Sequence, residues 1–380
     1  MEDFFAQLDL FQAISLATLA AGLLFQLVYY LVIFARVPAY KPVADFEKIK
    51  KEPVSIIICA RNEAENLKNN LPNILEQNYP DFEVIVVNDC SDDDTQDILE
   101  EFQEKYTNLK LTQIKHDEKF THGKKLALTI GIKAAKNEWL LLTDADCQPN
   151  GSQWLSTMQQ NFTSNCEIVL GYGGFNESKG FLNKLVRFDT FFIALQYIGF
   201  ALIKLPYMGV GRNLAYRKSL FMKNKGFASH AHILSGDDDL FVNEVANSKN
   251  TKVEFAFEAH TRSIPKKVFN SWAFQKRRHL SSGQTYKFKH KFLLGLEVFS
   301  RMIFYIGLIL TLVTPVTWIV GLSAYLFRLI IQLIIFNQAM NKLNEKNLLL
   351  FSIIFDLILP LTILYLYTTN FLNTKQRKWK

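Results

Sequence analysis

The chain has 380 residues, of which 43 are Lys or Arg and 36 Asp or Glu, for a formal charge of +7. That length holds one large domain or two ordinary ones. The excess of positive charge sits beside apolar stretches, and no zinc-knuckle or RNA-binding signature accompanies it, so nucleic acid is not its explanation. The four cysteines, Cys59, Cys90, Cys147 and Cys166, show no metal-ligand spacing and are expected to be reduced thiols.

Residues 1–10 carry Glu2, Asp3 and Asp9 and no basic residue, which is the wrong start for a signal peptide. Residues 11–34 hold no charge, enough to cross a bilayer as a helix. Residues 52–260 have ordinary soluble composition. Residues 261–291 are basic and include QKRRH, and 292–372 are apolar again, read as two or three spans before a basic tail at 373–380. Arg36, Lys41, Lys48, Lys50 and Lys51 follow the first span, and nine Lys or Arg with no acid fill 259–296. This pattern predicts an integral protein of the plasma membrane with its middle domain cytoplasmic and a short external N-terminus. A basic tail on the inside asks for an even number of C-terminal crossings, so the parity stays open.

Within the soluble part, VSIIIC (54–59) reads as a buried strand. Residues 61–75 have helical spacing that Pro72 interrupts. FEVIVVND (82–89) is a second strand, and 91–106 a helix opened by capping residues. LKLTQI (109–114), a helix over 123–135 and a strand over 138–146 follow. Alternating strands and helices predict an α/β fold with a mostly parallel, doubly wound sheet. Ligands bind such sheets at the carboxyl ends of the strands. Polar clusters fall there three times, at 60–63, 88–89 and 143–146.

In TDADC (143–147), two carboxylates one residue apart at a strand end suit a hard cation, Mg2+ or Mn2+. A solvated turn is the bland alternative, and the nearby Asp89 weighs against it. In NDCSDDDT (88–95), Asp89 is the candidate for a base or ribose contact, and the later acids are loop and cap residues. HGKK (122–125) opens a helix, either as an anion site through Lys124 or Lys125 or as a plain basic helix end. GVGRNLAYRK (209–218) sets Arg212 and Asn213 after a glycine turn, for substrate or as a simple turn. QKRRHL (275–280) reads first as a membrane-surface helix, and second as a guanidinium clamp for a diphosphate. Residues 181–206 are apolar but too interrupted to span, so they predict an interfacial or a core helix. SGDDDLF (235–241) puts three carboxylates in a row.

In this order the motifs VSIIICARNEAENL, EVIVVNDCSDDDT, GKKLAL, TDADC, GVGRNLAYRK, SGDDDLF and QKRRH, over about 53–280, resemble membrane-bound, inverting family 2 glycosyltransferases. That group spans ceramide glucosyltransferases and polysaccharide synthases. The resemblance implies a Rossmann-like nucleotide-sugar fold of the GT-A type flanked by transmembrane helices. It implies a nucleotide and ribose pocket lined by Ala60, Arg61, Glu63 and Asp89, phosphates near Lys124 or Lys125, and Asp144 and Asp146 on the metal. Arg212, Gln275 and Arg278 are implied to bind substrate. The acidic motif puts the base on Asp237, with Asp238 the alternative because Gly236 stands where many relatives have Glu. His279 replaces the Trp of the family's Gln-x-x-Arg-Trp. The implied donor is a nucleotide sugar, a UDP-sugar first, and the expected acceptor a membrane lipid or lipid-linked group. A short-channel polysaccharide synthase or a non-catalytic nucleotide-sugar-binding protein are the alternatives.

Overall fold

The computed structural model describes residues 8–42, 50–115, 123–233 and 235–372. The acidic start at Glu2 and Asp3, His122 of the HGKK turn and the basic tail lie outside the described residues. The first helix, α1 (Leu10–Ala39), extends five residues past the uncharged run and includes a wide turn at Tyr29–Phe34. Asp9 caps it: its carboxylate accepts from the Gln12 N–H at 2.8 Å.

Strand β1 (Val54–Ala60) is buried at every position, as a continuous apolar run requires when helices cover both faces. Helix α2 (Ala64–Leu75), strand β2 (Phe82–Asp89), α3 (Thr95–Lys105), β3 (Leu109–Ile114), α4 (Lys124–Ala134) and β4 (Trp139–Asp144) complete the first half. Pro72 does not end α2, contrary to expectation. The carbonyl it deprives belongs to Lys68, which is exposed, so solvent serves it.

Then come β5 (Cys147–Pro149), α5 (Trp154–Gln159), β6 (Ile168–Gly171), β7 (Gly173–Phe175), α6 (Phe181–Leu202), β8 (Leu214–Arg217), α7 (Lys218–Lys223), α8 (Asp239–Val245), β9 (Thr251–Glu254) and β10 (Thr261–Ser263). The main sheet has the order β3-β2-β1-β4-β8-β6-β9. Its first four strands are parallel, and β8 runs against both neighbours. Alternate residues of each strand feed opposite layers. Ile57, Val87 and Leu142 join one core and Ile58, Val86 and Leu141 the other. A small sheet, β5-β10-β7, stands beside it.

Helices α9 (Phe269–Gly283), α10 (Phe288–Leu312), α11 (Trp318–Lys342) and α12 (Leu349–Leu372) end the chain. Among the described residues, five helices are long and apolar enough to cross a membrane: α1, α6, α10, α11 and α12. Of these, α6 is enclosed by protein over most of its length, so the core-helix reading of 181–206 holds. Helices α1 and α10 pack at backbone distance through Gly22 and Gly307. A Cβ on either would lie 2.6 Å from a backbone Cα of the other helix.

Helix α12 is tied to the domain near both of its ends. Glu345, in the turn between α11 and α12, is buried. It accepts from Arg187 of α6 at 2.8 Å, from the Tyr172 hydroxyl at 2.8 Å and from Arg262 of β10. At the other end of α12, Arg277 of α9 donates to the Thr369 hydroxyl at 2.9 Å. Helix α12 therefore starts and finishes against the domain. Within it, Pro360 leaves the Asp356 carbonyl without a helical partner, and Arg301 of α10 donates to that oxygen at 3.3 Å.

Candidate functional site

Parallel register brings the strand ends together. Cys59 pairs with Asp144 and Ala60 with Asn88, so Ala60, Asp89 and Asp144 share one edge of the sheet. Asp89 is fully buried there. The loop after β1 is laced to the SDDDT stretch. The Asn62 N–H donates to Ser91 at 3.0 Å, the Ala64 N–H to Asp93 at 3.2 Å and the Glu63 N–H to Thr95 at 2.9 Å. Asp93 is thereby a loop residue, and it positions Arg61 and Glu63 beside the edge. Burial, then repulsion from Asp146 and Asp144, raises the Glu63 carboxyl.

Asp144, Asp146 and Cys147 bring ligand atoms within 4.8 Å of one another. The donor set fits a hard divalent cation on the two carboxylates alone. Burial and the two neighbouring acids push the Cys147 thiol up, so it stays protonated. Burial and Asp144 also raise the Asp146 carboxyl, a repulsion that a cation would relieve.

Lys124, in the first turn of α4, bridges two motifs. Its ammonium is 2.7 Å from Asp144 Oδ1 and 3.1 Å from Asp237 Oδ2. Lys125 turns away and donates to the His230 and Ile233 carbonyls at 2.6 and 2.9 Å.

The three aspartates have separate duties. Asp238 caps α8, accepting from its own neighbour's N–H at 2.7 Å, and it also accepts from the Gly211 N–H at 2.6 Å. Asp239 accepts from Leu240 N–H at 2.8 Å, from the Tyr286 hydroxyl at 2.7 Å and from Ser282. Asp237 faces Lys124 and the cavity. Burial opposes its ionisation, but Lys124 outweighs burial and holds the carboxyl below its usual range. Burial, with Asp237 and Asp239 on either side, pushes Asp238 up to about 7. Gly236 has φ +95°, where a Cβ would strike the Leu240 side chain, so a glutamate here would be strained.

A cavity of about 680 Å³ opens beside these groups. Lys124, Asp144, Arg212, Asp237, Gln275 and Arg278 line one end. Arg212 lies over the Phe175 ring at 4.3 Å. Arg278 faces the cavity, whereas Arg277 is spent on Thr369. His279 also opens onto it. Burial among protein and the nearby Arg278, Lys276 and Arg212 cations hold its imidazole down to about 3, so the ring is neutral. From there the cavity continues to Leu294 and Val298 of α10 and Ile363 and Tyr367 of α12. Ala60, Arg61, Glu63, Asp89, Lys125 and Asp146 do not line it.

Residues 55–224 match the family described as glycosyl transferase family 2. Residues 55–224 are a glycosyltransferase family 2 domain. Asp89, Asp144, Asp146 and Arg212 fall inside the matched part, and Asp237 and Arg278 follow it. The chain is 25% identical over 357 residues to the probable glycosyltransferase YdaM of Bacillus subtilis, covering 83% of this chain and 81% of that protein. It is 35% identical over 100 residues to a poly-beta-1,6-N-acetyl-D-glucosamine synthase of Staphylococcus epidermidis, but this spans only 22% of that protein. In fold it is similar to a mannosyltransferase of Pyrobaculum calidifontis solved with GDP-Man and Mn2+. The TM-score is 0.58 at 18% identity, over 92% of this chain and 99% of that one.

Sequence reasoning missed two features of this cavity. Asp189 of α6 and Lys276 of α9 meet across the cavity wall, the ammonium 2.6 and 2.7 Å from the two carboxylate oxygens. Ser282 and Tyr286, which hold Asp239, lie at the end of α9 and just beyond it. A charge inside an otherwise apolar run, as at Asp189, was the available signal.

Proposed function

We propose that the chain transfers a sugar from a nucleotide-diphosphate sugar, a UDP-sugar first, to a hydroxyl of a membrane lipid or lipid-linked acceptor, with inversion. The observation that carries this is the continuity of the cavity from Asp144 and Asp237 to the apolar side chains of α10 and α12. A lipid has one end that needs each of those surroundings.

In this reading Asp237 takes the proton of the acceptor hydroxyl as its oxygen forms a bond to the anomeric carbon. The bond from that carbon to the diphosphate breaks in the same displacement, which inverts the centre. Arg278 and Lys124 stabilise the charge left on the diphosphate. Mg2+ or Mn2+ held by Asp144 and Asp146 would supply further neutralisation of that charge. Ala60, Arg61, Glu63 and Asp89 receive the base and ribose beyond the cavity, while Arg212 and Gln275 flank the sugar. Asp238 is the helix cap, not the base.

Helices α1, α10 and α11 are the crossings in this reading. Helix α12, held by the domain at both ends, counts as none, which leaves the C-terminus on the catalytic side and matches the basic tail. Positive flanks on both sides of the domain support a cytoplasmic face.

The test uses membranes containing the full chain, a panel of labelled nucleotide sugars, and Mg2+ or Mn2+. Label in the lipid extract is expected. Label confined to a high-molecular-weight polymer would mean a polysaccharide synthase instead.

A further inference from the structure

Helices α6 and α9 both line the cavity, and each gives one member of a charge pair, Asp189 and Lys276. Both are buried, at 4% and 7% exposure. The Lys276 ammonium gives hydrogen bonds to both Asp189 oxygens. Its charge is therefore cancelled at short range, in surroundings where water screens little. The same cavity is lined by the neutral hydrogen-bonding side chains of Thr190, Gln196, Gln275 and Gln284.

The other described cations lining the cavity belong to the donor end in the reading above or sit on α10. Lys124 is held between Asp144 and Asp237. Arg212 and Arg278 stand at the donor end, and Lys291 sits on α10, where its ammonium donates to the Gln284 carbonyl at 3.2 Å. Among the described lining residues, Asp144, Asp189, Asp237, Asp238 and Asp239 face Lys124, Arg212, Lys276, Arg278 and Lys291, so the cations do not exceed the acids. With Lys124 and Arg278 given to the donor's diphosphate in the reading above, a phosphate brought to Asp237 would lie beside a row of carboxylates, and Lys276 of the wall is already paired. Sites that recognise phosphate supply arginine forks or free ammonium groups, and a buried charge without a partner is costly.

We propose that the group accepting the sugar is an uncharged alcohol, with no phosphate at the reacting end, and that the Asp189–Lys276 pair enforces this choice. The proposal rests on the transferase reading above. It assigns Asp189 and Lys276 to acceptor specificity. Neutral amides and hydroxyls along the wall orient the alcohol, and the pair withholds the cation that an anionic acceptor needs. Freed from Asp189, Lys276 becomes such a cation.

The experiment offers the full chain, in mixed micelles with the active labelled donor, either a neutral hydroxyl lipid (diacylglycerol or ceramide) or a polyprenyl phosphate. Label is expected on a neutral lipid, with polyprenyl phosphate slower by about tenfold or more, as like-charge contacts cost. In Asp189→Asn the ratio of phosphate to neutral transfer is expected to rise by about tenfold or more. Because that variant leaves a buried lysine unpaired, the double variant Asp189→Asn with Lys276→Met serves as its control, and the ratio is expected to fall back. Hydrolysis of the donor without acceptor reports that each variant is folded. Faster transfer to polyprenyl phosphate than to every neutral lipid in the unaltered chain would overturn the proposal while leaving the lipid transferase standing. An unchanged ratio in a folded Asp189→Asn would overturn the role of the pair. Label on no lipid of either kind would overturn both.

Discussion

The cluster of opposite charges between the helices and the one at the cavity are built differently and put to different use. Between the helices, Glu297 and Arg301 of α10 join Arg328 of α11 and Asp356 of α12, all nearly inaccessible. Two acids meet two cations, and Gln26, Tyr30 and Tyr305 supply further hydrogen bonds to them. At the cavity, Lys124 alone stands between Asp144 and Asp237, with Asp146 and Asp238 close by. The first cluster is closed and balanced, so it fastens α1, α10, α11 and α12 to one another. The second is open and rich in acid, so it has capacity for a cation and for a reacting proton. Charge within an apolar bundle commonly signals function. Here balance and enclosure mark the fastening, and imbalance beside a cavity marks the chemistry.

The largest expected effect would break the fastening. Asp356→Ala leaves Arg328 without its acid and Arg301 with Glu297 alone, a break that typically costs about 3–5 kcal/mol. The variant is expected to lose most of its folded yield in detergent, measured by size exclusion and thermal unfolding. If it folds normally and loses transfer instead, the contrast between the clusters is wrong.

Asp237→Asn should act the opposite way. Turnover is expected to fall by about 10²–10⁴-fold, the usual worth of a general base, with a loss in thermal unfolding smaller than that of Asp356→Ala. Asp238→Ala should lose about 0.5–2 kcal/mol of stability, as a lost cap does, with a smaller effect on turnover. The reverse outcome for the pair would move the base to Asp238.

Acidity separates the same two residues more gently. Asp237, held low by Lys124, contributes stability that is present above the ordinary carboxylate range and lost as pH falls through its folded value. Asp238, raised to about 7, contributes stability that is present at low pH and lost as pH rises through that value. Transfer is therefore expected to stay level between about pH 6 and pH 8 if Asp237 is the base. A limb centred near pH 7 would point to Asp238.

The smallest effect concerns the third acidic run. Asp93 accepts from Ala64 and Thr95 in an exposed loop. Asp93→Ala is expected to cost about 1 kcal/mol in thermal unfolding, with a modest rise in KM for the donor. A collapse of turnover would give that loop a direct chemical role.

The strand ends that carry Asp89 and Asp144 were legible because β1, β2 and β4 are unbroken apolar runs that stop at polar residues. The acidic pair at 144 and 146 announced itself for the same reason. The division of labour within Asp237, Asp238 and Asp239 was not legible, because it depends on the φ of Gly236 and on donors from Gly211, Ser282 and Tyr286. Asp189 and Lys276 lie 87 residues apart, and Arg187 and Glu345 158. No local periodicity reports pairs at such separations. The end of α1 was missed because Arg36 closes the uncharged run, although the helix continues to Ala39.

If the acceptor is the membrane lipid proposed above, the apolar part of the cavity, lined by Leu294 and Val298 of α10 and by Ile363 and Tyr367 of α12, has a kinetic consequence. An acceptor entering sideways from a bilayer meets the site in two dimensions. Its effective concentration is a mole fraction in the membrane, and the volume of buffer is irrelevant to it. Diluting the acceptor with inert lipid at constant total amount should then slow transfer, whereas diluting the whole suspension should leave the rate per enzyme unchanged, provided the soluble donor is kept saturating.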